Sequence, residues 1–218
     1  MDYKFSKVEV NKMARRVFFS FHYERDAWRA GQVRNCNLLE TDDQYGFIDS
    51  VDWESLKRQG DEAVERWIND QLKYTSVSVV LIGAETAERP WVRHEIVKSW
   101  NRGNGIVGVR IHNIKNHESS TDVAGANPFD QFKLSDNTLL SSECKTYDWV
   151  VEDGRKKLGR WIEEACDVRA KYGADDKIVE VAEVSGRAEN ATFVRAASAS
   201  AGFAPRSPWC ACYADKRR

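Results

Sequence analysis

The sequence predicts an α/β domain built on a central, mostly parallel sheet with helices on both faces. Three observations point there. Residues 76–83 (SVSVVLIG) form a near-continuous apolar run of β-formers ending in glycine, the pattern of a strand covered on both faces. Residues 17–22 (VFFSFH) and 106–111 (IVGVRI) share that character. Between these runs lie segments whose apolar residues recur at three- and four-residue steps. Strand and helix therefore alternate through short connections, which implies a right-handed parallel arrangement.

Taken in order, residues 1–12 are polar and unpatterned and are expected to form an extension ahead of a domain that begins at Met13. The first strand delivers Ser20, His22 and Tyr23 at its carboxyl end, where ligands bind in open parallel sheets. The alternative for His22 is a loop histidine capping a helix. Residues 24–39 carry Ala27, Trp28, Val33 and Leu38 at helical spacing, weakened by Gly31, which costs about 1 kcal/mol relative to alanine. A short strand is expected at 45–48; it brings Asp49 to the same sheet edge, either to bond a ribose hydroxyl or to cap the next segment. Residues 61–72 repeat Ala63, Val64, Trp67, Ile68 and Leu72 as a helix burying one face.

The helix after 76–83 opens at Pro90, whose fixed φ and missing N–H suit a first helical position. Four residues advance a helix by about 400°, so Trp91, Glu95 and Ser99 share one stripe, and Val92, Ile96 and Trp100 make an apolar one beside it. The apolar stripe is expected to face the sheet and leave Glu95 at its edge, beside an indole. The structural alternative is a solvated glutamate pairing with Arg93, His94 or Lys98. Residues 113–142 read as polar loop, 146–151 as a short edge strand, and 153–166 as a last helix through Leu158, Trp161, Ile162 and Ala165. The domain is expected to close at Asp167. Residues 168–218 lose periodicity and are expected to form a weakly ordered tail.

Thirty-three basic residues balance thirty-four acidic ones, for a net charge of -1, so no overall field draws the chain to nucleic acid or to a membrane. No apolar run reaches the roughly 20 residues of a membrane helix, and residues 1–12 lack a secretory apolar core, which predicts a cytoplasmic protein. The five cysteines show no disulfide or zinc spacing, and Cys210 and Cys212 alone do not make a metal site. Phosphate loops, dinucleotide fingerprints, nucleophile elbows and HExxH helices are absent from the sequence. The first strand ends without an acidic pair and 76–83 holds no aspartate, which excludes a phosphoryl-accepting receiver domain.

Tryptophan at 91 with glutamate at 95, just after a buried strand, resembles the WxxxE pattern of TIR domains, and WVRHEI resembles the NAD-cleaving members. Over about 150 residues the chain resembles the TIR-like proteins of the bacterial Thoeris antiphage system. RRVFFSFHY at 15–23, TSVSVVLIG at 75–83, WVRHEIVKS at 91–99, NPFD at 127–130 and YDWVVEDG at 147–154 carry the likeness. The stretch between NPFD and YDWV is shorter than the family's, and the tail departs from it. The resemblance implies a flavodoxin-like TIR fold and an enzyme that releases nicotinamide from NAD, with Glu95 catalytic and NAD as substrate rather than cofactor. Phe18, Phe19, Ser20, His22, Asp49 and Trp91 are the candidate substrate contacts. It further implies a cyclic ADP-ribose-type product that reaches a separate effector by diffusion, with TIR–TIR self-association available to the chain. The alternative is a TIR-like interaction module that catalyses nothing.

Overall fold

The computed structural model describes residues 15–36 and 55–181. Four strands, β1 (Val17–Ser20), β2 (Val77–Ile82), β3 (Gly105–Arg110) and β5 (Thr146–Asp148), form one sheet in that spatial order. All three pairings are parallel, with Val17 opposite Val77, Val77 opposite Gly105 and Gly108 opposite Thr146. Every residue of β1 and β2 is buried, as their unbroken apolar character requires. This is the α/β, flavodoxin-like architecture expected of a TIR-like chain. The short strand expected at 45–48, and with it Asp49, lies outside the described residues.

Alternate residues of β2 and β3 feed two cores. Val77, Val79, Leu81, Val107 and Val109 join Ala30 and Val33 of α1 (Tyr23–Arg34) and Leu158, Trp161 and Ile162 of α5 (Gly154–Arg169). Val80, Ile82 and Ile106 join Val92, Ile96 and Trp100 of α3 (Pro90–Arg102). Helix α2 (Asp61–Leu72) sits beside α3, where Lys98 Nζ donates to Glu65 at 3.0 Å, and sets Trp67 against Phe18 with ring centroids 6.4 Å apart.

Helix α3 has well-defined ends. Pro90 occupies its first turn as the sequence predicts. At the other end Gly103 takes φ 95°, Gly103 N–H donates to Trp100 O, and Asn104 N–H donates to Ser99 O at 3.0 Å. This pair of bonds is a Schellman closure, which needs a left-handed residue that only glycine adopts at no steric cost.

Two expectations change. The loop expected over 113–142 contains a 3-10 turn at Pro128–Gln131, β4 (Phe132–Leu134) and the short α4 (Leu140–Glu143), and Phe129, Phe132, Leu134 and Leu140 are core residues. Elements of three or four residues are too short to show a period. The expected boundary at Asp167 falls inside α5, and the chain goes on to β6 (Ile178–Glu180), antiparallel to β4. Arg169 donates to the carbonyls of Trp100, Tyr172 and Gly173 and stacks over the Trp100 ring at 4.9 Å. Trp100 Nε1 in turn donates to Asp176 O at 2.8 Å, and Ile178 N–H donates to Asn101 Oδ1. Residues 169–178 thus clasp the carboxyl end of α3. Among the described residues no helix is long and apolar enough to cross a membrane.

Candidate active site

The rotation of α3 decides where Glu95 goes. Ser99, one turn further along the same stripe, is wholly buried and shares a 2.7 Å hydrogen bond with Ser78 of β2. The Trp91–Glu95–Ser99 stripe therefore turns toward the sheet together with the apolar one. Glu95 is 6% exposed, not at a solvated edge. The cations that were candidates to pair with it are turned elsewhere: Arg93 toward Glu180 at 3.5 Å, Lys98 and His94 toward Glu65. Among the described residues Glu95 makes no ion pair.

Burial without a counter-charge penalises the carboxylate and pushes the Glu95 pKa up from 4.5 to about 8. The Ser20 hydroxyl, at the end of β1, is near enough to oppose this in part. The pair falls short of a hydrogen bond of normal geometry, so Ser20 Oγ stays buried with no partner. The result is a protonatable carboxyl held in a dry setting beside an uncommitted hydroxyl.

A cavity of about 250 Å³ opens onto Glu95 at the carboxyl end of β1. The β1–α1 turn supplies Phe21, His22, Tyr23 and Glu24; the start of α3 supplies Arg89, Pro90, Trp91 and Val92; Lys57 completes the wall. His22 stands at the amino end of α1 but makes no side-chain cap bond. Burial, then the nearby Arg89 charge, lowers its pKa from 6.5, so the imidazole is neutral at pH 7. Its Nδ1 has no hydrogen-bond partner.

Behind this wall an ionic lattice ties the loops together. Arg25 forms two bonds of 2.9 Å to Asp122 and a third of 2.7 Å to Glu85. Glu85 also holds Arg89. Buried Asp26 pairs with Arg29 at 3.3 Å and lies against Gly83, where a Cβ would come within 2.1 Å of Asp26 Oδ2. Glycine at the end of β2 is thus required by the close approach of α1.

Of the candidate residues, Glu95, His22 and Trp91 line the cavity, and Ser20 adjoins Glu95 behind it. Phe18 and Phe19 do not line it: both are core, Phe18 against Trp67. Strand alternation sends their rings to the helices on either face, whereas Phe21, beyond the strand end, reaches the cavity. Tyr23, expected near the site with Ser20 and His22, lines the cavity as well; Phe21, Glu24, Lys57 and Arg89 escaped sequence reasoning. Phe21 and Glu24 follow the strand directly and were accessible to the rule that ligands bind beyond strand ends; Lys57 carried no pattern. A larger, open groove of about 570 Å³ lies at the amino ends of β2 and β3, beside Ser76 and Gly105. It is the wrong edge for this class of sheet, and its Arg169 and Lys177 are committed to carbonyls of the helix ends.

The family described as Thoeris protein ThsB, TIR-like domain, matches residues 18–116. A protein of Bacillus cereus (strain MSX-D12) named "Putative cyclic ADP-D-ribose synthase ThsB1" is 34% identical over an alignment of 191 residues, covering 69% of this chain and 100% of that protein.

Proposed function

We propose that this chain, which belongs to the family of Thoeris ThsB proteins with a TIR-like domain, cleaves NAD between nicotinamide and ribose, with Glu95 as the catalytic carboxylate. The observation that carries this reading is the unpaired, buried Glu95 facing a cavity shared with Trp91 and His22. In NAD the nicotinamide ring already bears positive charge. Its C1′–N bond breaks with the electron pair passing to the ring nitrogen, so the leaving group needs no proton, unlike an ordinary glycoside.

Glu95 has the chemistry for the remaining task. A carboxylate beside C1′ stabilises the oxocarbenium-like transition state, and does so strongly where water is excluded. Its raised pKa leaves it largely protonated in the empty cavity at pH 7. The cationic ring of a bound substrate favours the ionised form, so substrate binding itself charges the catalyst. Trp91 supplies an aromatic wall and neutral His22 a polar contact for the ribose, while Ser20, behind Glu95, is placed to donate to the carboxylate.

The acceptor at C1′ sets the product. Water gives linear ADP-ribose, whereas a nucleophile of the same molecule, losing its proton as the new bond forms, gives a cyclic isomer. The relative's name favours cyclisation, which needs the adenosine half folded back near the reacting ribose with water kept out. The cyclic product then acts as a diffusible signal to a separate effector, made in a triggered state.

The test is nicotinamide release from NAD by purified protein, alone and with lysate of infected cells, followed by mass measurement of the product. The expected product is one water lighter than ADP-ribose and is lost in Glu95→Gln. Full turnover by Glu95→Gln would end the assignment of Glu95. Exclusively linear ADP-ribose would sink the signalling role, and no release under any trigger would favour a non-catalytic interaction module.

A further inference from the structure

The mouth of the cavity holds two cations, and each is occupied by a carboxylate. Lys57 Nζ donates to Glu24 Oε1 at 2.7 Å, and Arg89 Nη2 pairs with Glu85 Oε2. The two carboxylates flank His22, with Glu24 Oε2 3.8 Å from its Nε2 and Glu85 Oε2 3.9 Å from its Nδ1. Two cation–carboxylate pairs, Lys57 with Glu24 and Arg89 with Glu85, therefore stand on either side of neutral His22.

The Arg89 pair has two features that the Lys57 pair lacks. First, Arg89 Nε is buried with no hydrogen-bond partner, so only part of the guanidinium fork is used. A planar fork with spare donors fits a phosphate, which can take two parallel N–H bonds at once. Second, Glu85 has another cation: its Oε1 accepts from Arg25 Nη1 at 2.7 Å, while Arg25 is held in place by Asp122. Glu85 can release Arg89 and keep a counter-charge, which removes the usual penalty for breaking such a pair.

Size then says what arrives at the mouth. A space of about 250 Å³ accommodates a nicotinamide ring with its ribose, and it is smaller than the 300–1,000 Å³ typical of cavities that enclose a whole drug-sized ligand. With the scissile bond at Glu95, the 5′ side of the ribose must exit past the opening. The group attached there is the diphosphate. Arg89 stands at the amino end of α3, where the helix dipole also favours an anion.

We propose that Arg89 binds the substrate diphosphate and that Glu85 is its displaceable stand-in, transferring its hold to Arg25 when the dinucleotide enters. This rests on the NAD-cleavage reading and deepens it: the site selects a diphosphate-linked dinucleotide over the same nicotinamide riboside without phosphate. Glu85 competes with the substrate, so affinity in the intact protein is lower than the cation alone would give.

The test is calorimetric titration of the full chain carrying Glu95→Gln, which holds NAD uncleaved, with NAD and separately with nicotinamide riboside. Adding Arg89→Gln is expected to weaken NAD binding tenfold or more and to change riboside binding less than twofold. Adding Glu85→Gln instead is expected to tighten NAD binding severalfold, an opposite sign that damage to the fold would not produce. Equal loss of both ligands in Arg89→Gln, unchanged NAD affinity in Arg89→Gln, weaker NAD binding in Glu85→Gln, or no NAD binding at all would each overturn the proposal. Nicotinamide release by the wild-type chain separates the two levels. Release without Arg89-dependent binding leaves cleavage standing and removes this role, while Arg89-dependent binding without release keeps the role and removes cleavage.

Discussion

Ser78 and Ser99 share a single hydrogen bond, buried on all sides, between the central strand and the helix that carries Glu95. It fixes the rotation of α3 about its axis, and so turns the neighbouring carboxyl inward. Ser99→Ala leaves the Ser78 hydroxyl buried without a partner, at a cost of about 1–3 kcal/mol. Replacing both serines with alanine is expected to cost less than the sum of the single changes, because no orphan remains. Urea unfolding of the three variants checks this; a Ser99→Ala variant as stable as wild type would show the bond to be idle.

Glu95→Gln should stabilise the protein, and by an amount that depends on pH. The folded-state pKa is raised, from 4.5 to about 8, so the folded protein holds this proton more firmly than the unfolded chain. The favourable contribution is complete below the unfolded value and is lost as pH rises through about 8. Glutamine does not titrate. The gap between variant and wild type is thus expected to be small in mild acid and to grow to a few kcal/mol in mild alkali, at about 1.4 kcal/mol per pKa unit. Thermal unfolding on both sides of neutrality decides it; a wild type that outlasts Glu95→Gln in alkali contradicts a buried, unpaired acid.

The same group should shape catalysis. The kcat/KM for nicotinamide release reports the free protein and is expected to rise toward alkali with a limb near the Glu95 value of about 8. The kcat limb belongs to the complex and should fall at lower pH, since the cationic ring favours the carboxylate. Steady-state rates across neutral and alkaline pH test this. Coincident limbs would mean that the substrate does not help to ionise Glu95.

Much of the frame was readable from residue pattern, because β1 and β2 lie in unbroken apolar runs and α2, α3 and α5 each run long enough to show a period. Pro90 and Gly103 mark the ends of α3 by chemistry visible in the sequence. Local pattern set the apolar stripe of α3 on the sheet but did not tell that the Glu95–Ser99 stripe turns in with it, since Glu95 reads as polar; the deciding contact is Ser78 with Ser99, and neither serine signals burial alone. Phe18 and Phe19 illustrate the converse. Their place beside the site is legible, but their direction follows from strand alternation and from helices packed on both faces. Arg89 was passed over because its role depends on Glu85 and on a cavity assembled from three separate segments.

Ending the chain after Asp167 is expected to destabilise the domain, because Arg169, Asp176 and Ile178 secure Trp100 and Asn101 of α3. Arg169→Ala alone should cost about 2–3 kcal/mol, a charged donor serving several carbonyls and an indole face. Denaturant unfolding measures both. A truncated chain with wild-type stability would show that the clasp contributes nothing.

Strand β2 stands between β1 and β3 and joins partners distant in sequence, Val17 below it and Gly105 above. No hairpin can nucleate such a sheet, so wide loops must close before any pairing gives a return, and assembly is expected to be slow for a chain of this size. Once formed, Val79, Val80 and Leu81 have neither an edge to fray nor solvent on either face. Their amide protons exchange with heavy water only when the whole domain opens, which makes this strand a built-in clock for global unfolding.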